Sequence, residues 1–399
     1  MNILVISEVF HPENFLINNL VLEWKNQEHH IEVLTQYPSY PDSFVFEGYQ
    51  NSDYELEDWN GIIIHRFKCI EGYKNSKFKK FHNYLFFVFK GQQTAKKIKT
   101  KFDHIFVSQT GPLTVAFPAI KIKKSKTCPI TIWTCDIWPD VVYSYGVPKN
   151  VITEKCLSYF IRRVYKNCDH ILVSSKQFET TIQKYCTKQI TYIPNWLESG
   201  ENKKSSLTFK PDFIHFTFTG NISRYQNLSN VIKGFQTANI ENGILHIVGD
   251  GSYKAEIDEL INSNGYKNII LHGRRPNNEM NDIMNQSDIL ILSLINNEGI
   301  EKTEPLKLQS YLSSGKPILG VLNGSCKEII EEHQLGITTS PDDIEDIAKG
   351  FLSIIDFSKR EGDNIKTRAH QLMETRFNKE KIIQRINTVM QLTKDIENN

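Results

Sequence analysis

Residues 215–252 read HFTFTGNISRYQNLSNVIKGFQTANIENGILHIVGDGS, and the order of residue types in this stretch decides the fold. The apolar run His215–Thr219 ends in Gly220, a helical pattern follows near Asn227–Asn239, and a second apolar run, Gly243–Val248, ends in Gly249-Asp250-Gly251. Strand, helix and strand in this order make a βαβ unit, which commits the two strands to a parallel sheet. Toward the C-terminus the alternation continues. Helices are expected near Lys254–Asn262 and Asn278–Gln286 and over Leu306–Ser314, with strands at Ile269–His272, Ile289–Leu292 and Pro317–Val321. Toward the N-terminus it starts again with a strand at Asn2–Ser7, a helix at Asn18–Gln27 and a strand at Ile31–Leu34. Further strands are expected at Ile62–Arg66, His104–Ser108, Ile130–Trp133, His170–Val173 and Ile190–Asn195.

At 399 residues the chain exceeds the roughly 250–300 that a single hydrophobic core serves. The polar segment Glu198–Pro211 reads as a linker. The expected architecture is α/β, with two Rossmann-like parallel-sheet domains facing across a deep cleft. Residues 1–195 form the first domain and 196–382 the second. A helix over 383–399, with Ile382, Ile383, Ile386 and Val389 on one face, can cross back to the first. In open parallel sheets ligands collect at the carboxyl ends of the strands, so the site is sought there.

Bulk properties exclude several classes. With 40% hydrophobic and 23% charged residues, the chain is an ordered globular protein. Seven scattered cysteines form no Cys-x-x-Cys pair and suit reduced thiols in a cytoplasm. The start, Met1-Asn2-Ile3-Leu4-Val5-Ile6, lacks the basic region and cleavage site of a signal peptide. The first strand leads into Ser7-Glu8-Val9-Phe10-His11-Pro12, with no Gly-x-Gly-x-x-Gly turn for a dinucleotide.

Three segments of the second half carry chemistry. Gly220 permits close backbone approach at a strand end, and Arg224 after it can neutralise a diphosphate, or can be a surface arginine after a tight turn. Val248-Gly249-Asp250-Gly251 is a second such turn, in which Asp250 can equally cap the helix that follows. In Glu304-Pro305-Leu306-Lys307-Leu308-Gln309-Ser310-Tyr311-Leu312, Pro305 suits a helix start, and Leu308, Tyr311 and Leu312 form its inward stripe. Lys307 sits at the end of the helix where a cation gains nothing from the dipole. An anionic ligand explains it better, with a solvated lysine as the alternative. In the first half, Asp136 follows the strand Ile130–Thr134 at a sheet edge and can orient an acceptor or cap a turn. His11 after the first strand can face a ligand or solvent.

Taken in order, these segments resemble the retaining family 4 glycosyltransferases of the GT-B fold, in the branch that builds bacterial O-antigen, capsule and colanic-acid units and includes N-acetyl-fucosaminyltransferases. Thr219-Gly220-Asn221-Ile222 with Gln226 is similar to the branch's Gly-Asn-Ile segment, and Pro305-Leu306-Lys307 through Gly315-Lys316-Pro317 to its Pro-Ser-Lys helix and exit. Asp136-Ile137-Trp138-Pro139-Asp140 is similar to its Asp-Leu-Trp-Pro-Glu segment. Three features depart from the family. Ser310 and Lys302 stand where many members carry the two glutamates of Glu-x7-Glu, Asn221 and Gln226 stand where the wider family often has Arg and Lys for the diphosphate, and Pro12-Glu13-Asn14-Phe15-Leu16-Ile17 replaces a glycine-rich acceptor loop.

The resemblance implies a donor set of Gly220, Asn221, Arg224, Gln226, Gly249, Asp250, Gly251, Arg274, Glu304, Lys307, Leu308 and Ser310, with Glu304 taking over a ribose or sugar contact. Asp136, Arg224 and Lys307 are the implied catalytic residues, with no cofactor and no metal. The implied reaction moves a hexose or N-acetylhexosamine from a nucleoside diphosphate sugar, UDP-sugar favoured, to a polyprenyl-diphosphate-linked saccharide. A nucleotide-sugar epimerase or hydrolase of the same fold is the nearest alternative, and a non-catalytic subunit of a polysaccharide assembly complex the next.

Between Arg66 and Lys101 stand eleven Lys/Arg against Glu71 alone. Within this stretch Phe81, Leu85, Val88, Gln92, Ala95 and Ile98 recur at helical steps, with Phe86, Phe87 and Phe89 widening the apolar arc. A lysine-flanked aromatic helix near 76–101 can rest on an anionic membrane or serve as a core helix. Its aromatics share a helical face instead of forming separate stacking platforms, so nucleic acid is not an expected partner. The expected location is cytoplasmic, peripheral on the inner face of the cell membrane.

Overall fold

In β1 (Asn2–Ser7) every residue after Asn2 is buried, as a strand covered on both faces of a parallel sheet must be. It lies between β2 (His30–Gln36) and β5 (His104–Gln109), both parallel to it. With β3 (Glu55–Trp59), β4 (Ile62–Phe67), β6 (Ile130–Thr134), β7 (His170–Val173) and β8 (Ile190–Tyr192), these strands form one sheet in the order β3-β4-β2-β1-β5-β6-β7-β8. Only β3 runs antiparallel, joined to β4 through Asn60 and Gly61 at φ 55° and 75°. The helices are α1 (Leu16–Asn26), α2 (Lys77–Ala95), α3 (Ala116–Lys126), α4 (Asp140–Ser144), α5 (Val151–Asn167) and α6 (Gln177–Gln183). This computed structural model describes residues 1–398 apart from 75, 127, 145 and 199. The chain divides into two compact units, Met1–Ile193 with Ile383–Asn399, and Pro194–Ile382.

The second unit holds a six-stranded, all-parallel sheet of β9 (Ile214–Thr219), β10 (Gly243–Val248), β11 (Ile269–Gly273), β12 (Ile289–Ser293), β13 (Ile318–Val321) and β14 (Gly336–Thr339), ordered β11-β10-β9-β12-β13-β14. Its helices are α7 (Leu228–Ala238), α8 (Lys254–Ser263), α9 (Met280–Gln286), α10 (Glu298–Glu301), α11 (Leu306–Ser314), α12 (Ser325–Glu332), α13 (Ile344–Glu361) and α14 (Asp363–Thr375). The final helix, α15 (Lys379–Asn398), passes from the second unit into the first at residue 383. One face of the sheet buries Phe216, Phe218 and Ile247 with α7 and α13; the other buries Leu290 and Leu292 with α11 and α12. The segment after residue 200 is bound to this unit. Phe209 stacks on His246 at 3.9 Å, within a row in which His215 Nδ1 meets His246 Nε2 and His246 Nδ1 meets His272 Nε2, each at 2.8 Å.

In each sheet the strand order reverses once, beside β1 in the first unit and beside β9 in the second. Connections leave on opposite sides at such a point and open a crevice past the carboxyl ends of the strands. Glu8 follows β1, Gly220 follows β9, and Gly111 lies just past β5.

Of the two roles open to the apolar stripe of α2, packing in the core is taken by a neighbouring face of the helix. Asn83, Phe87, Gly91 and Thr94 face inward, with Phe87 against Phe67 at 5.1 Å. Phe78, Phe81, Leu85 and Phe89 lie outside, 80%, 60%, 50% and 58% exposed. The inward face tolerates its polar residue because Asn83 accepts from the Ile70 amide at 2.9 Å and lies 3.4 Å from Gln36. A buried amide with partners costs little, and apolar periodicity alone cannot register it.

Trp24 of α1 is fully buried, edge-on to Phe106 at 5.0 Å, and its indole N–H donates to Asn387 Oδ1 of α15 at 2.7 Å. Trp24→Ala is expected to destabilise the chain by about 3–5 kcal/mol, and Asn387→Ala, which leaves the indole N–H unpaired, by about 1–3 kcal/mol. Urea unfolding of the two single variants and the double variant checks both values, and the double variant should lose less than their sum.

Candidate functional site

At the reversal point of the second sheet the turns after β9 and β10 are joined by backbone hydrogen bonds. Gly220 N–H donates to Val248 O at 2.9 Å, and Ile222 N–H to Asp250 O at 2.8 Å. A Cβ on Gly249 would stand 1.8 Å from the Gly220 carbonyl oxygen, so only glycine allows this approach. Lys307 comes in from α11, its Cε 3.0 Å from where a Cβ of Gly220 would be.

Lys307 Nζ lies 3.7 Å from the centre of the Phe218 ring and donates to Gln226 Oε1 at 2.5 Å. Neither contact supplies a negative charge, and desolvation pushes the ammonium well below the usual lysine range. The helix that carries it is pinned to the sheet by Tyr311, whose hydroxyl accepts from Thr219 N–H at 3.0 Å and donates to Ile291 O at 3.1 Å. Gln226 is itself held, its carbonyl accepting from Ser293 Oγ at 2.5 Å.

The other residues expected on this side are placed as follows. Asn221 lies over Gly251, its Oδ1 2.5 Å from where a Cβ there would be. Arg224 is largely exposed, 5.4 Å above the Tyr253 ring and 4.0 Å from Glu256. Asp250 accepts from the Gly251 amide at 2.9 Å and lies 3.8 Å from Lys254. Arg274 is exposed after β11. Ser310 Oγ bonds back to Leu306 O at 3.2 Å. The Leu308 side chain is buried in the core cluster with Tyr311 and Leu312, so only its backbone can offer a contact. Glu304 is buried, and both its oxygens accept from Arg376 Nη2 at 3.1 Å while Ser325 Oγ donates to Oε1 at 3.0 Å. The ribose contact assigned to this carboxylate competes with that ion pair, which links residues 72 positions apart and has no local sequence signal. Sequence reasoning also missed Phe218 under Lys307; its place on β9, one residue before Thr219, was the available clue.

In the first unit, Asp136 follows β6. Burial raises its carboxyl to about 6, against the opposing pull of Lys80. Its carbonyl accepts from Gln109 Nε2 at 2.9 Å, and the same amide nitrogen donates to Gly111 O at 2.6 Å. Glu8, absent from the sequence-derived set, stands at the reversal point itself, and a Cβ on Gly111 would be 3.0 Å from its Oε2. His11 stacks on Trp59 at 4.4 Å, and its carbonyl accepts from Arg66 at 2.5 Å, so its ring is part of the packing. The loop between is organised by buried Glu13, which accepts from the amides of Phe10, Ser39 and Tyr40 at 3.0, 2.9 and 2.7 Å.

Over 98% of this chain and 99% of the other, the structure matches a sucrose-phosphate synthase from Thermosynechococcus elongatus with a TM-score of 0.72 and 14% identity. It matches Anabaena HepE, solved in complex with UDP, over 98% and 100% with a TM-score of 0.68 and 14% identity. The fold is GT-B. Within this GT-B chain, residues 199–371 match the family model Glycosyl transferases group 1, and that match lies inside the second unit and contains β9 to β14. A Pseudomonas aeruginosa protein described as "Probable glycosyltransferase WbjE" is 23% identical over 223 residues. That alignment spans 52% of this chain and 55% of its relative, about half of each. Among the described residues no group of His, Cys, Asp and Glu is arranged to hold a metal ion.

The environment of Lys307 sets a pH-dependent prediction. Its folded-state pKa is depressed, so between that value and about 10.4, the value expected when unfolded, the unfolded chain binds the extra proton and this lysine's contribution to stability rises with pH. Lys307→Met removes this burden. The variant is expected to melt at or above the wild-type temperature, with the widest gap at neutral and lower pH and a narrowing one as pH rises; melting curves across a pH series read it directly.

Proposed function

We propose that this protein is a retaining glycosyltransferase, the second unit holding a nucleoside diphosphate sugar and the first unit the acceptor. The observation that carries this reading is Lys307, a lysine packed at the reversal point of the β9–β12 sheet with only neutral partners. A diphosphate is the ligand that would restore its charge and its pairing. UDP is the favoured nucleotide, since HepE is solved with UDP. In the reaction the bond from the anomeric carbon to the β-phosphate oxygen breaks and a bond to an acceptor hydroxyl oxygen forms on the same face. The hydroxyl proton passes to the departing phosphate. Negative charge gathers on that phosphate, so Lys307 and the amides of the Gly220 turn stabilise the transition state more than the ground state. Arg224, exposed at the rim, can reach the same phosphate.

The acceptor on this reading is a lipid-linked saccharide, met at the inner face of a cell membrane as part of surface polysaccharide synthesis. Among the described residues no helix is long and apolar enough to cross a bilayer. The support is the outer stripe of α2, where Phe78, Phe81, Leu85 and Phe89 are exposed at three- and four-residue steps. Phe44, 61% exposed, continues the surface, since a Cβ on Gly72 would lie 3.8 Å from its ring and 3.5 Å from Lys79 Nζ. Exposed aromatics bordered by lysines suit the interface of an anionic bilayer.

The deciding assay offers the purified chain a panel of UDP- and GDP-sugars with polyprenyl-diphosphate-linked acceptors. Release of nucleoside diphosphate should depend on acceptor, and the product should keep the donor's anomeric configuration. Acceptor-independent release would instead mark a hydrolase or epimerase, and no turnover a binding subunit of an assembly complex. Lys307→Met should weaken UDP binding at least about tenfold, about 1.4 kcal/mol, by calorimetry. Separately, Phe78→Ser with Phe81→Ser should reduce sedimentation with phosphatidylglycerol liposomes while leaving UDP binding unchanged; equal sedimentation would refute the membrane contact.

A further inference from the structure

Glu8 is the side chain that the donor and membrane readings leave unused. It follows β1, the strand at which the first sheet reverses its order, and so occupies the place in the first unit that Gly220 occupies in the second. Its carboxyl makes no hydrogen bond among the described residues. It lies beside Gly111, past the end of β5, where the absence of a side chain leaves room for Oε2. On the far side of β5 stands Asp136, whose carboxylate also makes no hydrogen bond among the described residues.

Between the two lies Gln109, the last residue of β5 and fully buried. Its Nε2 is committed to Gly111 O and Asp136 O, while its Oε1 is buried without a partner. Two carboxyls and an orphaned amide oxygen, gathered where an open parallel sheet binds its ligands, are hydrogen-bonding capacity that the fold itself does not use. Hydroxyl groups, which both donate and accept, match such a set; an anion does not.

We propose that Glu8 is an acceptor-recognition residue: its carboxyl binds a sugar hydroxyl of the acceptor at the β1/β5 reversal point, with Asp136 receiving the neighbouring hydroxyl. The proposal rests on the glycosyl-transfer reading and adds a residue to it. The two carboxyls take different parts. Burial first, then Glu13 and Asp136, push Glu8 up to about 8 against Lys80, whereas Asp136 reaches only about 6. Tyr73 before α2 and Cys135 after β6 also face this pair, and burial holds both in their neutral forms. Near pH 7 Glu8 is therefore un-ionised and donates to the acceptor hydroxyl, while Asp136 is ionised and accepts. Activity should fall on the acid side as Asp136 protonates and on the alkaline side as Glu8 ionises, because an ionised Glu8 can no longer donate.

The test is steady-state kinetics of the full chain with the donor and acceptor found in the panel above, over about pH 5 to 9.5. Glu8→Gln keeps a neutral donor of the same size; it should retain activity near pH 7 within about threefold and lose the alkaline limb. Glu8→Ala should raise the acceptor KM at least about tenfold with the donor KM and UDP affinity unchanged. An alkaline limb that persists in Glu8→Gln, or an acceptor KM unmoved in Glu8→Ala, overturns the assignment of Glu8 while leaving the transferase reading standing. A wild-type chain that transfers no sugar at any pH overturns both.

Discussion

The second unit is organised around a lysine packed among neutral groups. Lys307 reaches the turn after β9 because Gly220 and Gly249 carry no side chains, which lets the two strand-end turns bond to each other and leaves its methylenes a place to lie. Tyr311, one helical turn further along α11, fixes that helix to β9 and β12 at once. The ammonium is thus held by a rigid frame over Phe218. A charge so placed costs stability in the free protein, and on the proposed reading the bound anion returns it, as in a preorganised electrostatic site.

The first unit uses the same geometry with opposite chemistry. Its reversal point carries carboxyls in place of a lysine, and its loops are set by buried charges held through several hydrogen bonds each. Glu13 gathers three amides, and Arg66, wholly buried, joins Glu57 and the His11 carbonyl. Charges with that many partners hold loops in one shape. Glu8 and Asp136 have no such hydrogen-bond partners among the described residues, and on the proposed reading they serve the acceptor. The fold by itself cannot supply the chemistry at either place, since one fold hosts many reactions; the side chains at the strand ends do that.

Much of this was legible in the residues. Runs such as Ile3–Ile6 and Leu245–Val248 announced buried parallel strands, and the glycine turns after His215–Thr219 and Gly243–Val248 marked where a ligand would be met. The hairpin of β3 was overlooked although Asn60-Gly61 is a strong turn signal, because Glu55–Trp59 is half-charged and reads as a loop. β14 was missed for a similar reason, being a short, partly exposed edge strand. For α2 the apolar arc was seen and left as either a membrane-facing or a core face; the structure turns Phe78, Phe81, Leu85 and Phe89 outward and buries Asn83 and Thr94 instead, because the partners of Asn83 sit on other elements.

What the sequence determined by itself was the alternation of elements, their parallel pairing and the strand ends where polar residues and glycines collect, since burial on two faces and turn chemistry are local properties of a chain. Only the tertiary structure decided which of the charged side chains are already satisfied. Glu304 and Lys307 are three residues apart in one motif, yet one is matched by Arg376 and Ser325 and the other by no charge at all. Ion pairing joins residues distant in the chain, and no period or spacing along it encodes the meeting.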